Sequence, residues 1–426
     1  MIHVVDAPTG QGKTNAAINY INVHDGRYLF VTPYKTELVR IKESCSAKEF
    51  YEPEAEYTKS TKVMTKKNGI KKLFKEKKNI VTTHALFKLF DKEMIEFCKN
   101  YDYTLILDEV TDVAEIYDDL KPDDLKILIK DFVTVDNCML KWREDKADYN
   151  GNRFLREKGL CEMDCLYYYG DITMLWQFSV SIFNAFKESF ILTYMFRGQL
   201  QKYYYDFHKL EYDRWYVKGN DMSSYELTPV KQSYGNVSKY KSLIEIIDSD
   251  RMNSIGDEYY SLSNTWYTCR DKKDGNWDVD EEVVERTRKA RRETVRKKLA
   301  TFYKHYAKGG SELALWTCFI DDRKFLKGKG YVKGFLSCNA KATNMYRSKR
   351  NLAYVINTFM NPVIKQFFEG NDIPVDGDMY ALSSLVQWVW RSAVRDGKKI
   401  TLYLPSVRMR NLFIRWLNDE IDLEWD

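Results

Sequence analysis

The chain has 426 residues, and at about 150 residues per domain that leaves room for two large domains with an insertion or for three smaller ones. Its 67 Lys+Arg against 62 Asp+Glu are too nearly balanced to name a nucleic-acid partner, while 44% apolar and 30% charged residues exclude wholesale disorder. Gly (20) and Pro (8) are too sparse for a fibrous or linker-dominated chain, whereas aromatic residues, at 15%, are abundant. No apolar run approaches the roughly 18 residues of a membrane span. The opening Met1-Ile2-His3-Val4-Val5 lacks the basic start and apolar core of a secretory signal. The eight scattered cysteines read as reduced core thiols of a cytoplasmic protein. Cys161 and Cys165 form a C-x3-C pair that no second pair or His cluster completes as a zinc site.

In chain order, Ile2 to Asp6 predicts a strand, Ala7 to Thr14 a glycine-rich loop, and Asn15 to Ile21 a helix with Ala17, Ile18 and Ile21 at helical spacing. The loop Pro8-Thr9-Gly10-Gln11-Gly12-Lys13-Thr14 suits a phosphate. Gly10 and Gly12 let backbone N–H groups turn inward without a Cβ in the way, and the new helix points its positive end at the same anion. Lys13 has the length and charge to reach β- and γ-phosphates, and the Thr14 hydroxyl is a Mg²⁺ ligand in such loops. A glycine-rich turn without a ligand is the plainer alternative. Tyr28 to Tyr34 is a strand running into a turn, and Lys59 to Lys78 holds nine Lys against one Glu. Asn79 to Phe87 is a further strand with a polar end. Tyr103 to Leu107 is a buried-strand pattern ending in Asp108-Glu109-Val110-Thr111-Asp112. Asp108 is placed to hold Mg²⁺ and Glu109 to orient and deprotonate a water, although solvated acids at a strand end look the same in sequence.

In this order the segments resemble a superfamily 2 helicase of DEAD/DEAH type, and within that group phage-encoded replication helicases. Ala7 to Thr14 resembles motif I, and Leu107-Asp108-Glu109-Val110 resembles motif II with Val110 and Thr111 in the last two places. The resemblance implies nucleic-acid backbone contacts at Thr32, Pro33 and Tyr34, and again at Thr82, Thr83 and His84. An ordinary capping or core histidine is the other reading of His84. Ile191 to Phe196 stands in the place of motif III, where Thr193 keeps the hydroxyl.

Residues of about 120–185, polar between Lys141 and Gly170, are expected to be an insertion in a first domain of residues 1–205. A tyrosine-rich linker is expected over 206–240 and a second domain over 241–426, opened by a strand at Leu243 to Asp248. Glu281 to Lys308 predicts a long helix; from 281 to 305 it carries nine Lys/Arg against four Glu, the pattern of a solvated face or of a phosphate-facing stripe. Leu313 to Phe319 resembles the strand of motif IV, and Gly334 to Asn344 resembles motif V, which implies nucleic-acid contacts at Thr343 and Asn344. Gln387-Trp388-Val389-Trp390-Arg391-Ser392-Ala393-Val394-Arg395 resembles motif VI. The spacing of four predicts that Arg391 and Arg395 share one helix face, and the resemblance makes Arg391 the first choice as arginine finger, with Gln387 beside it.

The resemblance implies an α/β fold of two RecA-like parallel-sheet domains in tandem, with ATP and Mg²⁺ in a cleft between them. Hydrolysis would then drive movement on single-stranded or forked DNA, with replication proteins as further partners and no membrane. A translocase on duplex DNA, an RNA helicase, and a binding protein with a degenerate nucleotide pocket are the competing readings. The aromatic surplus fits core packing first, and a base-stacking platform around Tyr203 to Tyr216 or at Trp388 and Trp390 second.

Overall fold

Ile2-His3-Val4-Val5-Asp6 is buried from end to end, as expected of a strand covered on both faces. This is β1 of a computed structural model that describes residues 1–57, 64–170, 173–269, 280–339 and 345–425. The following strands are β2 (Arg27–Thr32), β3 (Phe50–Tyr51), the antiparallel pair β4 (Glu56–Tyr57) and β5 (Met64–Thr65), β6 (Asn79–Thr83) and β7 (Tyr103–Asp108). Then come β8 (Ala114–Tyr117), β9 (Val133–Asp136), β10 (Met139–Trp142), β11 (Leu166–Tyr169), β12 (Thr173–Gln177), β13 (Glu188–Thr193), β14 (Tyr212–Lys218) and β15 (Glu226–Thr228).

These strands belong to the first of two units, which comprises residues 1–232 and 361–375. Its main sheet has the order β15-β14-β1-β13-β7-β2-β6-β3 and is parallel except for the edge strand β15. Val4, Val5, Leu29, Phe30, Val31, Ile80, Leu105, Ile106 and Ile191 fill its two faces and are fully buried.

β8 to β12 form a separate antiparallel sheet, β8-β12-β11-β10-β9. Its core gathers Leu128, Leu140, Phe154, Cys161 and Leu166. The insertion is therefore a built β-layer, contrary to the polar, strand-poor reading of Lys141 to Gly170. Its strands of four or five residues are too short to register as patterns, and only their cross-strand packing makes them a sheet. Cys161 and Cys165 lie inside it, where burial pushes both thiols up to about 12.

The expected linker over 206–240 is corrected by the structure. Tyr212–Lys218 is a strand that pairs in parallel with β1, and Tyr216 and Val217 are buried. Aromatic and β-branched residues favour a pleated surface, so this richness marks an edge of the first sheet. Tyr203, Tyr204 and Tyr205, on the helix Leu200–Phe207, are also in the core. Phe367 and Phe368 of the helix Pro362–Glu369 pack on Tyr167, Tyr169 and Phe207, and the Tyr169 hydroxyl donates to the Gln366 carbonyl at 3.0 Å. Most of the aromatic surplus in this unit is structural.

The second unit comprises residues 233–360 and 376–425. Its parallel sheet runs β16-β19-β18-β17, with β16 (Ile244–Ile246), β17 (Ala314–Thr317), β18 (Asn351–Tyr354) and β19 (Ile400–Tyr403). Among the described residues of the motif V segment, Phe335 forms an isolated bridge to Trp316 and no longer strand. Trp388 and Trp390 are buried, and the Trp388 indole donates to the Leu336 carbonyl at 3.1 Å. No helix among the described residues is long and apolar enough to cross a membrane.

Candidate nucleotide site

β1 ends at the glycine-rich loop, and the helix Lys13–Val23 follows at once. Gly10 and Gly12 have φ of 96° and 74°, left-handed values that cost a side-chain-bearing residue about 1–2 kcal/mol. The loop is closed by Gln11 N–H donating to the Pro8 carbonyl at 3.1 Å, and the helix by Ala16 N–H to Gly12 at 2.8 Å. The Lys13 ammonium folds back over the loop and donates to the carbonyls of Ala7 (2.5 Å) and Pro8 (3.2 Å).

Two strands across the sheet, β7 brings Asp108 to the same carboxyl-terminal edge, where the Thr14 hydroxyl donates to its Oδ1 at 3.2 Å. Asp108 is 7% exposed. Burial, and then the charge of Glu109, push its carboxyl up to about 7. Glu109 has a φ of 65° while its N–H still donates to Leu192 at 2.9 Å. A non-glycine residue in that region stores strain, and such residues gather at functional sites. Thr193, at the end of β13 between β1 and β7, donates to Gln199 Oε1 at 3.1 Å.

Sequence reasoning missed three supports of this edge. Asp6 accepts from the amides of Met195 (2.8 Å) and Phe196 (3.2 Å), tying β1 to the turn after β13. Gln201 accepts from the Thr111 amide at 3.0 Å behind the motif II turn. Tyr225 packs on Gly12, where a Cβ would meet its ring at 2.4–2.5 Å. An acid ending an apolar strand was a signal for Asp6; neither Gln201 nor Tyr225 had one.

The structure brings the motif I and II residues together and disperses others. Pro33, Tyr34 and Thr83 stay half-buried at strand ends, whereas Thr32 and Thr82 are buried in the sheet. His84 is a correction. It is 7% exposed and its Nε2 meets the Asp108 carbonyl at 3.0 Å, so it lies inside the fold and positions motif II. Thr343 and Asn344 lie outside the described residues. Much of the lysine stretch is neutralised internally: Lys66 pairs with Glu52, Lys67 with Asp91, Lys71 with Asp91 and Glu93, and Lys72 with Glu56.

Motif VI also departs from expectation. The helix Gly377–Val389 ends before Arg391, and the Ser392 hydroxyl donates to the Val389 carbonyl at 2.7 Å. A 3-10 turn, Ala393–Asp396, then carries Arg395. The two arginines therefore share no helix face. Arg391 is 8% exposed, Arg395 is at the surface, and Gln387 is half-buried.

Elsewhere in the second unit the helix Glu281–His305 packs beside Arg323–Leu326, leaving a groove of about 900 Å³ lined by Arg288, Arg323, Lys324, Phe325 and Lys327. Arg292, also on its wall, is committed to a buried ion pair with Asp322 at 2.7 Å.

The buried charge at Asp108 has a measurable consequence. Its raised folded value, above the ordinary 3.8, means that the ionised form is disfavoured in the fold. The cost is fully present above about pH 7 and fades as the carboxyl takes up its proton at lower pH. Asp108→Asn is expected to melt higher than the parent at pH 8, by about 2–4 °C per kcal/mol relieved, with the gap closing toward pH 4. Identical melting at pH 8, or a gap that widens on acidification, would contradict this origin.

Two parallel-sheet, RecA-like units define a mixed α/β protein of helicase-like fold. A solved XPD helicase is similar over 99% of this chain and 95% of its own, with a TM-score of 0.52 at 10% identity, a likeness of fold alone. The chain belongs to the YonV family. It is 35% identical over 430 residues to the SPbeta prophage-derived uncharacterized protein YonV of Bacillus subtilis (strain 168), spanning 98% of this chain and 99% of that relative. Residues 238–417 match the family model described as the YonV C-terminal Rossmann-like domain.

Proposed function

We propose that the chain is an ATP-dependent nucleic-acid helicase or translocase acting on DNA. The observation that carries this reading is the convergence of Lys13, Thr14, Asp108 and Glu109 at one edge of a parallel sheet, with Thr14 and Asp108 in direct contact.

The residues suit a divalent cation. A buried carboxyl held up to about 7 by burial and a neighbouring acid is a site short of positive charge. Among the described residues no three His, Cys, Asp or Glu side chains gather as a metal centre. Mg²⁺ takes few protein ligands and keeps phosphate oxygens and water, so Thr14 and Asp108 would hold it together with the nucleotide. Bound there, it would supply charge neutralisation at the phosphates. Lys13 exchanges its two loop carbonyls for β- and γ-phosphate oxygens. Glu109 orients the attacking water and accepts its proton. Arg391, in the second unit, is the proposed cation for the transferring γ-phosphoryl group.

Nucleic-acid contacts are supported by Pro33, Tyr34 and Thr83, half-buried at strand ends, and by the basic groove with Phe325 in the second unit. Phosphate contacts and an aromatic face are the usual elements of single-strand binding. The fold likeness to an XPD helicase and the prophage origin of the YonV relative agree with a phage replication role, with replication proteins as partners. The test is ATP hydrolysis with single-stranded DNA, duplex DNA and RNA in turn, followed by strand separation of a tailed duplex. Stimulation by single strands with unwinding is the expected result. Stimulation by duplex without unwinding would make it a translocase, stimulation by RNA alone an RNA helicase, and no hydrolysis with any of them would overturn the reading.

A further inference from the structure

β14 runs parallel to β1, so both strands deliver their carboxyl ends to the edge where open α/β sheets take ligands. The chain leaving β14 is held there. It turns at Gly219, with a φ of 105°, where a Cβ would fall 2.3 Å from the Ser224 carbonyl oxygen. Asp221 closes the turn by accepting from the amides of Ser223 and Ser224, each at 3.0 Å, and the chain returns as β15, antiparallel to β14. Asn19, on the helix of the phosphate loop, clasps the returning segment by donating to the carbonyls of Met222 (3.1 Å) and Tyr225 (2.9 Å).

These contacts seat Tyr225 on Gly12. Three ring atoms lie 2.4–2.5 Å from where a Gly12 Cβ would be, so glycine is required there by its φ of 74° and by the ring as well. Tyr225 is half-buried, so it is not sealed in the core. A nucleotide whose phosphates lie on this loop carries its base one ribose beyond the α-phosphate, and Tyr225, seated on the N-cap glycine of the helix, is an aromatic ring beside that loop.

We propose that Tyr225 is the base platform of the nucleotide site, its ring stacking on the purine of a bound nucleoside triphosphate. The inference rests on the nucleotide reading above and adds the residue that meets the base. Stacking on a ring face is tolerant of exocyclic groups, so ATP and GTP bind within a few-fold of each other.

The test is calorimetric binding of ATP, GTP and inorganic tripolyphosphate to the full chain, to Tyr225→Phe and to Tyr225→Leu, with melting temperatures as the check on folding. Tyr225→Phe keeps the stacking face and is expected to bind ATP like the parent. Tyr225→Leu keeps apolar bulk on Gly12 without an aromatic face. It is expected to lose about tenfold or more in ATP affinity while binding tripolyphosphate as the parent does. Equal losses for ATP and tripolyphosphate, or no loss for either, would overturn the platform and leave Tyr225 a packing residue. A parent chain that binds neither ATP nor tripolyphosphate would overturn the nucleotide reading itself.

Discussion

Glu109→Gln is expected to lower nucleic-acid-stimulated ATP hydrolysis by about 10²–10⁴-fold, the usual contribution of a positioned general base, while nucleotide still binds. The carboxylate sits beside a buried acid at the end of β7, on a residue with a φ of 65° that turns the chain off the sheet. Glutamine keeps the shape and the backbone conformation but cannot take a proton. Lys13→Ala is the companion variant. Its ammonium donates to the loop carbonyls of Ala7 and Pro8 in the structure, and its removal is expected to leave the chain folded while taking away the charge proposed to face β- and γ-phosphates. It should lose both affinity and turnover, whereas Glu109→Gln loses turnover alone. Steady-state hydrolysis with a parallel binding titration separates the two. Parent-like turnover in either variant would remove the residue from the site.

Arg391→Ala is the second large effect. An arginine that neutralises the transferring γ-phosphoryl group is worth about 10³–10⁵ in turnover, with little change in ground-state nucleotide affinity. Arg391 is also buried, so truncation will cost stability, and Arg391→Lys is the cleaner probe. Lysine keeps the positive charge but not the planar fork that meets phosphate in two places, so turnover should stay low at near-normal melting temperature. Arg395→Ala, on an exposed 3-10 turn, should hydrolyse ATP at close to the parent rate. A deep loss at Arg395 with none at Arg391 would reverse the assignment, and a loss of nucleotide affinity alone at Arg391 would remove it from the transition state.

The two arginines show where reading by spacing stopped working. A separation of four residues puts side chains on one face only if the helix continues, and here it ends at Val389, with Ser392 capping its carbonyl. The same limit explains His84. A histidine after a strand end has the same sequence whether its ring points outward or, as here, inward to the Asp108 carbonyl. The lysine stretch was visible as charge, but the carboxylates of Glu52, Glu56, Asp91 and Glu93 that answer it come from other segments.

The sequence by itself determined the glycine-rich loop, the acidic strand end and the strand–loop–helix order at the start of the chain. Each rests on neighbours in the chain: glycines where φ is positive, an apolar run of strand length, a lysine and a hydroxyl at the start of a helix. Only the tertiary structure decided that the tyrosine-rich segment extends the first sheet, that residues 361–375 fold with the first unit, that the insertion is a β-layer, and that Tyr225 sits on Gly12. These depend on which distant segments bury one another, and pairings of that kind are selected by packing over the whole unit, where no local pattern records them.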